Sequence, residues 1–154
     1  MKHILFFLFT ASLVLFACSS VKKTDSSVIT QGITGRVTEQ TGNRMPMKDA
    51  VPDAPKGVVT TVLIYEPTHI SQVSREGTAP VYTAIHTRLV ASIDTDSTGS
   101  FTVALPVGNY SLFVKQGKNF YANLFDTNNN IALFAVEEGK LTQANLSVSS
   151  RASF

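Results

Sequence analysis

The 154-residue chain has one cysteine, Cys18, and no tryptophan. A single thiol cannot close an internal disulfide, so an exported form must draw its stability from its core. Without indoles the chain lacks the strongest stacking platform for a sugar ring, and Tyr65, Tyr82 and Tyr121 are the aromatics left to substitute. Charge is also scarce: 13 Lys and Arg stand against 11 Asp and Glu, a formal net charge of +2. No basic field marks the chain for nucleic acid, and no nucleic-acid partner is expected. There is no G-x-S-x-G elbow, no H-E-x-x-H pair and no phosphate-cradling glycine loop. Beyond His3 the only histidines are His69 and His86, and no cysteine or clustered carboxylate joins them where zinc needs three or four ligands. No catalytic residue, cofactor or metal centre is expected, and the chain reads as a non-enzyme.

What is present begins at the amino terminus. Met1-Lys2-His3 is a short basic segment, and Ile4 to Phe16 is apolar apart from Thr10 and Ser12. That run fits the ~7–15 residues of a signal-peptide core and falls short of the ~20 that span a bilayer. It ends at Ala17-Cys18, and "SSVKKTDSS" follows, small, polar and without apolar periodicity, as a flexible tether does. The segment Leu15-Phe16-Ala17-Cys18 resembles the lipobox of a bacterial lipoprotein, matching at Leu15, Ala17 and Cys18, with Phe16 bulkier than usual. The resemblance implies cleavage before Cys18 and acylation of its thiol. Membrane lipid is then a partner, and residues 1–17 are a signal peptide. Residues 18–28 become a lipid-anchored tether, and 29–154 the folded domain. Several acyl chains, at ~0.8 kcal/mol per buried methylene, make such an anchor permanent. Ser19 stands where an aspartate would signal inner-membrane retention in Gram-negative bacteria, so the outer membrane is expected. Lys22 and Lys23 precede Asp25, unlike surface-export signals that place acidic residues first, which favours the periplasmic face over the cell surface.

From Ile29 the apolar pattern has period two. Phe101, Val103 and Leu105 share one face, as do Tyr110, Leu112 and Val114 after "PVGN". Strands are expected near Ile29–Thr38, Val58–Glu66, Tyr82–Asp94, Ser100–Leu105, Tyr110–Gln116, Phe120–Phe125, Ile131–Glu137 and Leu141–Ser149. In Tyr82–Asp94 the inward residues would be Ile85, Leu89 and Ile93, with His86 and Arg88 outward. "VVTTVLIY" (Val58–Tyr65) is apolar on both faces at its far end and suits a central strand. The expected fold is all-β, a single antiparallel β-sandwich of about seven to eight strands. An eight-stranded outer-membrane barrel, suggested by the terminal Phe154, would need strands of about 9–11 residues with an apolar outer band. Most runs here are shorter.

"GITGRV" (Gly32–Val37) and "IDTDSTGSFTVALPVGNYSLFVKQ" (Ile93–Gln116) resemble the carboxypeptidase regulatory-like, or transthyretin-like, domain family. The pattern is carried by Thr95, Asp96, Gly99, Phe101, Leu105, Pro106, Gly108, Tyr110, Leu112 and Val114. The resemblance implies a Greek-key sandwich of the prealbumin type that docks or binds beside other proteins and is not itself a peptidase. Asp96, Gly99, Pro106 and Gly108 form its structural turn motif, read as a hairpin: Asp96 accepts backbone N–H groups, Gly99 supplies a positive φ, Pro106 fixes the first turn residue, and Gly108 permits the reversal.

The same "DTDSTG" also looks like half a calcium loop, with oxygen ligands at Asp94, Asp96 and Thr98. The place of the bidentate glutamate holds Leu105, so a structural turn is the favoured reading. "DTNNN" (Asp126–Asn130) repeats the spacing and reads as a polar loop. The connections Glu39–Gly57 and Pro67–Val81 are long against the usual ~4–6 residues. The first carries Pro46, Pro52 and Pro55 with Met45 and Met47, and each connection is either a recognition element or a tolerated insertion. Two functions stand: a non-catalytic binding or scaffold module engaging an envelope protein or glycan through its loops, or a transthyretin-like small-ligand carrier or hydrolase with His69, His86 and Arg88 lining a pocket.

Overall fold

A computed structural model describes residues 28–40, 55–75, 77 and 80–149. The lipobox with Cys18, the tether to residue 27, Met45, Met47, Pro46, Pro52 and Phe154 lie outside the described residues. Within them the fold is all-β: eleven strands in two sheets, one 3-10 turn and no α-helix.

The four-stranded sheet is built on β1 (Gly32–Gln40). On one side β1 pairs along its whole length with β11 (Leu141–Ser149), parallel, from Gly32↔Leu141 to Gln40↔Ser149. On the other side β7 (Ser100–Ala104) covers its first half and the two-residue β2 (Lys56–Gly57) its end, both antiparallel. Among the described residues the β1–β11 ladder is the only parallel pair. The chain between them holds the whole second sheet together with β2 and β7, a long connection of the kind that parallel neighbours need.

The seven-stranded sheet runs β4 (Val73–Arg75), β5 (Val81–Ile85), β9 (Asn119–Tyr121), β8 (Gly108–Gln116), β3 (Thr61–Tyr65), β6 (Leu89–Asp94), with β10 (Leu133–Val136) also on β8. β3 lies inside the sheet, between β8 and β6, as its two-faced apolar pattern requires. The inner faces of the two sheets interdigitate as a sandwich. Ile33, Val37, Phe101, Ala144, Leu146 and Val148 come from the first sheet and Val62, Ile64, Leu112, Val114, Tyr121 and Val136 from the second.

A second core lies on the opposite face of β3 and β8. Phe113 is fully buried there, with edge-on contacts to Tyr65 (5.6 Å between centroids) and Tyr82 (5.7 Å). Ile70 from the 3-10 turn Ile70–Gln72, Val73, Ala122, Ile131 and Ala132 close over it. The centre of the seven-stranded sheet, β3 and β8, is therefore buried on both faces, and β8 reads apolar at Phe113 as well as at Leu112 and Val114.

Five expectations need correction. Tyr82–Asp94 is two strands: β5 lies next to one edge of the sheet and β6 forms the other edge, so the chain must leave the ladder between them. The break is fixed where Thr87 meets the buried Thr68 hydroxyl at 2.6 Å and Arg88 O accepts from Glu66 N. Leu89, expected to face inward, starts that edge strand and is 46% exposed. The strand expected at Phe120–Phe125 stops at Tyr121, since Ala122 N donates to Pro80 O outside the β8 ladder. Pro67–Val81 is not an open loop either: it holds the 3-10 turn and β4, which pairs with β5. Lastly, the D-x-x-G and L-P-x-G turns do not close a hairpin. β6 and β8 belong to one sheet and β7 to the other, so both turns are corners carrying the chain between sheets.

Candidate functional site

The corner before β7 is organised by one carboxylate. Asp96 Oδ1 accepts from the Thr98 N–H (2.8 Å), the Ser100 N–H (2.9 Å) and the Thr98 hydroxyl (2.7 Å). Gly99, at φ 82°, donates its N–H to Asp96 O, and a Cβ there would lie 2.3 Å from Val37 O. Only glycine satisfies both the left-handed backbone and the close approach to β1. One residue earlier, buried Thr95 accepts from Thr60 N–H (2.8 Å), while its hydroxyl lies 2.8 Å from Val58 O, to which it donates. The threonine and aspartate of the T-D-x-x-G-x-F pattern thus tie the corner to the segment entering β3 and to its own turn.

As a calcium loop these residues are already engaged. Asp94 Oδ1 accepts from the Thr61 hydroxyl on the neighbouring strand (2.7 Å). Asp96 serves the turn, and Arg36 Nε donates to Thr98 O (2.7 Å), bringing a cation to the corner. Among the described residues no group of three His, Cys, Asp or Glu side chains is placed to share an ion.

"DTNNN" builds the same device. Asp126 Oδ1 accepts from Asn128 N–H and Asn130 N–H, both at 2.8 Å. The backbone bonds also repeat: Asp96 N to Ser100 O matches Asp126 N to Asn130 O, and Gly99 N to Asp96 O matches Asn129 N to Asp126 O. Asn129 takes the glycine's place at φ 60°, which asparagine tolerates best among residues with a Cβ. The spacing was visible in the sequence; the identity of the two turns was not, because one uses glycine and the other asparagine at the left-handed position.

Hydrogen bonds from Thr98 to Asp96, and from Asn130 to Asp126, hold both carboxyls below their ordinary pKa. A depressed folded pKa means stability that is full above the unfolded value, about 4, and lost as pH falls through the folded value. Asp96→Asn is therefore expected to lower the melting temperature at neutral pH, with the gap to the wild type closing below about pH 4. A gap that stays constant from pH 7 to pH 2 would show that ionisation of Asp96 contributes nothing to the corner.

At the other corner Pro106 and Gly108 flank the exposed Val107. Tyr110, 8% exposed, sends its hydroxyl back to Pro106 O at 3.0 Å, and a Cβ on Gly108 would meet that hydroxyl at 3.3 Å. A tyrosine bonded to backbone a few residues upstream is a recurrent brace of Greek-key sandwiches. The phenol's role was not visible in the sequence, where Tyr110 read only as a core aromatic.

The residues of the pocket alternative separate. His69 caps the 3-10 turn, its Nδ1 accepting from Ser71 N–H (3.1 Å), while its own N–H donates to Gln72 Oε1. His86 Nε2 lies 2.9 Å from Ser74 Oγ on the exposed side of β4. Arg88 forks onto Glu66 Oε1 (3.0 and 2.6 Å) in an exposed ion pair. An open groove of about 680 Å³ is lined by Glu66, Gln72, Thr87, Arg88, Asn109 and Tyr110 among others, and neither histidine lines it.

Sequence reasoning missed a buried hydroxyl cluster beneath this groove. Thr68 and Ser111 are fully buried; Ser111 Oγ accepts from Thr68 N–H (2.9 Å), and the Thr68 hydroxyl lies 2.7 Å from Glu66 O, to which it donates. Isolated serines and threonines in strands give no signal of burial. No protein-family model, no curated protein and no solved structure matches the chain.

Proposed function

We propose that this chain is a non-catalytic lipoprotein of the bacterial envelope, a transthyretin-like sandwich acting as a binding or scaffold module. The lipobox-like Leu15–Cys18 supports the anchor, and the placement is the outer membrane, facing the periplasm. The partner is an envelope protein or glycan. The observation that carries the module reading is how the reactive side chains are used. His69 caps a turn, Arg88 pairs with Glu66, and Asp96 and Asp126 hold corners, so the chemistry of a hydrolase is spent on architecture. The pocket reading gains no matching support, since His69 and His86 lie apart from the groove that Arg88 lines.

The 39–57 connection is the favoured contact element because its base is fixed. Glu39 pairs with Lys56 and Thr38 with Gly57, and a Cβ on Gly57 would lie 1.8 Å from Thr98 O. The two ends of the connection are thus held side by side as paired strands.

Two expected outcomes test the reading. Cys18→Ser should abolish incorporation of labelled palmitate, since a serine hydroxyl does not replace the thiol in acylation; continued labelling would sink the lipoprotein assignment. Replacing residues 41–54 with a four-residue turn should leave the melting temperature nearly unchanged, because each doubling of loop length costs only about 0.6 kcal/mol. The same deletion should abolish recovery of partners from native membranes, since binding energy concentrates in few residues. Full recovery with a stable deletion protein would show the connection to be a bystander.

A further inference from the structure

The edges of the two sheets are unequal. β4 is three residues long and ends on Arg75. β6 has six residues, preceded by Arg88 and ending on Asp94. β2 has two, with Lys56. β7 has five and runs between the Asp96 turn and Pro106. Brevity, charge and nearby proline are the devices that keep sheet edges from pairing with other chains. β11 is protected least: Lys140 precedes it, paired with Glu137, but nothing within the strand guards the edge. It is nine residues long, "LTQANLSVS", without charge, proline or a register shift.

Its outward hydrogen-bonding phase follows from the ladder. Gly32 N donates to Lys140 O, so the amides of residues 142, 144, 146 and 148 turn to β1. Leu141, Gln143, Asn145, Ser147 and Ser149 turn theirs to the open side. Among the described residues, no backbone group bonds to them there beyond the β1 ladder. Asn123 reaches this edge, but only to the Ser147 hydroxyl, at 3.4 Å. Gln143 and Asn145 are exposed and bond to each other through their side chains.

We propose that β11 is a self-pairing edge, joining two copies of the chain antiparallel about a two-fold axis at Asn145 into one continuous sheet. A second copy fits better than a foreign strand because an isologous contact sets each residue against its symmetry mate, and like charges would oppose one another. β11 carries no charge to do so. An axis at Asn145 is the register in which all nine residues find a partner, Leu141 against Ser149 and Gln143 against Ser147. It also places outward-turned amides opposite each other, as an antiparallel hydrogen-bonded pair needs. The four-stranded sheet then extends across both copies, and the 39–57 connections are displayed in duplicate.

The test uses the full chain in membranes. Two differently tagged copies are expected to co-purify after detergent extraction. Asn145→Lys in both copies should cut co-purification by about tenfold or more, because two ammonium groups then meet at the axis. Co-expression of Asn145→Lys with Asn145→Asp should restore it. Should the lysine variant fold poorly, Asn145→Cys serves instead: a short bismaleimide should couple two copies through residue 145, and the same reagent should leave Ser92→Cys, on the β6 edge, uncoupled. Wild-type copies that never co-purify, lysine copies that co-purify undiminished, or equal coupling at 145 and 92 would each overturn the proposal.

Discussion

Phe113→Ala is expected to cost about 3–5 kcal/mol of unfolding free energy, a large share of the roughly 5–15 kcal/mol that holds a domain together. The ring is fully buried and is the centre of the second core. Tyr65 and Tyr82 meet it edge-on, with interplanar angles of 86° and 90°. Such pairs add about 0.5–1.5 kcal/mol each beyond area burial. The cavity left behind has little means of collapsing. Tyr65 and Phe113 are paired in their ladders, and Tyr82 is held by its pairing with Phe120 and by its hydroxyl on Ala122 O at 3.3 Å. Phe113→Leu should recover much of the loss, because it restores volume without the ring contacts. Urea unfolding followed by circular dichroism measures both. A cost below about 1 kcal/mol for the alanine variant would mean that the layer over β8 does not seal this face.

That second core marks the limit of what the sequence could show. β7 and β11 were legible because each buries one face, so apolar and polar residues alternate: Phe101, Val103 and Leu105 in one, Ala144, Leu146 and Val148 in the other. β8 looked equally regular at Tyr110, Leu112 and Val114, which hid the burial of Ser111 and Phe113 behind it. The covering segments, 66–72 and 122–132, carry no periodicity and fold over the sheet where Phe113, Tyr65 and Tyr82 are there to be covered. The turns were read correctly as local chemistry and wrongly as topology. Asp96 and Gly99 make the same bonds whether the next strand returns to its own sheet or crosses to the other, and the destination of β7 is set by Ile33–Gly35, more than sixty residues away. The parallel pairing of the first and last long strands was likewise invisible. Alternation fixes which face a strand buries, not its neighbour or direction. For the site, His86 and Arg88 were read correctly as facing outward, while His69 is half-buried in the cap of the 3-10 turn, and whether the three converge depends on contacts that sequence spacing does not encode.

Gly35→Ala is expected to destabilise the chain by about 3 kcal/mol or more, at or beyond the upper end of the usual cost of overpacking. Gly35 lies in the middle of β1, where a Cβ would fall 1.8 Å from Ala144 O, 2.6 Å from Ala144 C and 3.2 Å from the Phe101 ring. The obstacle is backbone, so no rotamer change relieves it. Nor can either neighbour withdraw: β11 is held to β1 through nine residue pairs and β7 through five, and Ala144 and Phe101 both pack in the sandwich core. Glycine inside a strand commonly marks such a close approach. Gly139→Ala is the control. At φ 66° it bears the left-handed penalty of roughly 1–2 kcal/mol but has nothing within 4 Å of the new methyl. If steric approach in the parallel ladder is what Gly35 permits, its alanine variant must lose clearly more than the Gly139 variant in the same equilibrium unfolding experiment. Equal losses would mean that β1 and β11 have room to move apart, and that their parallel register is held less tightly than the contacts at Ala144 require.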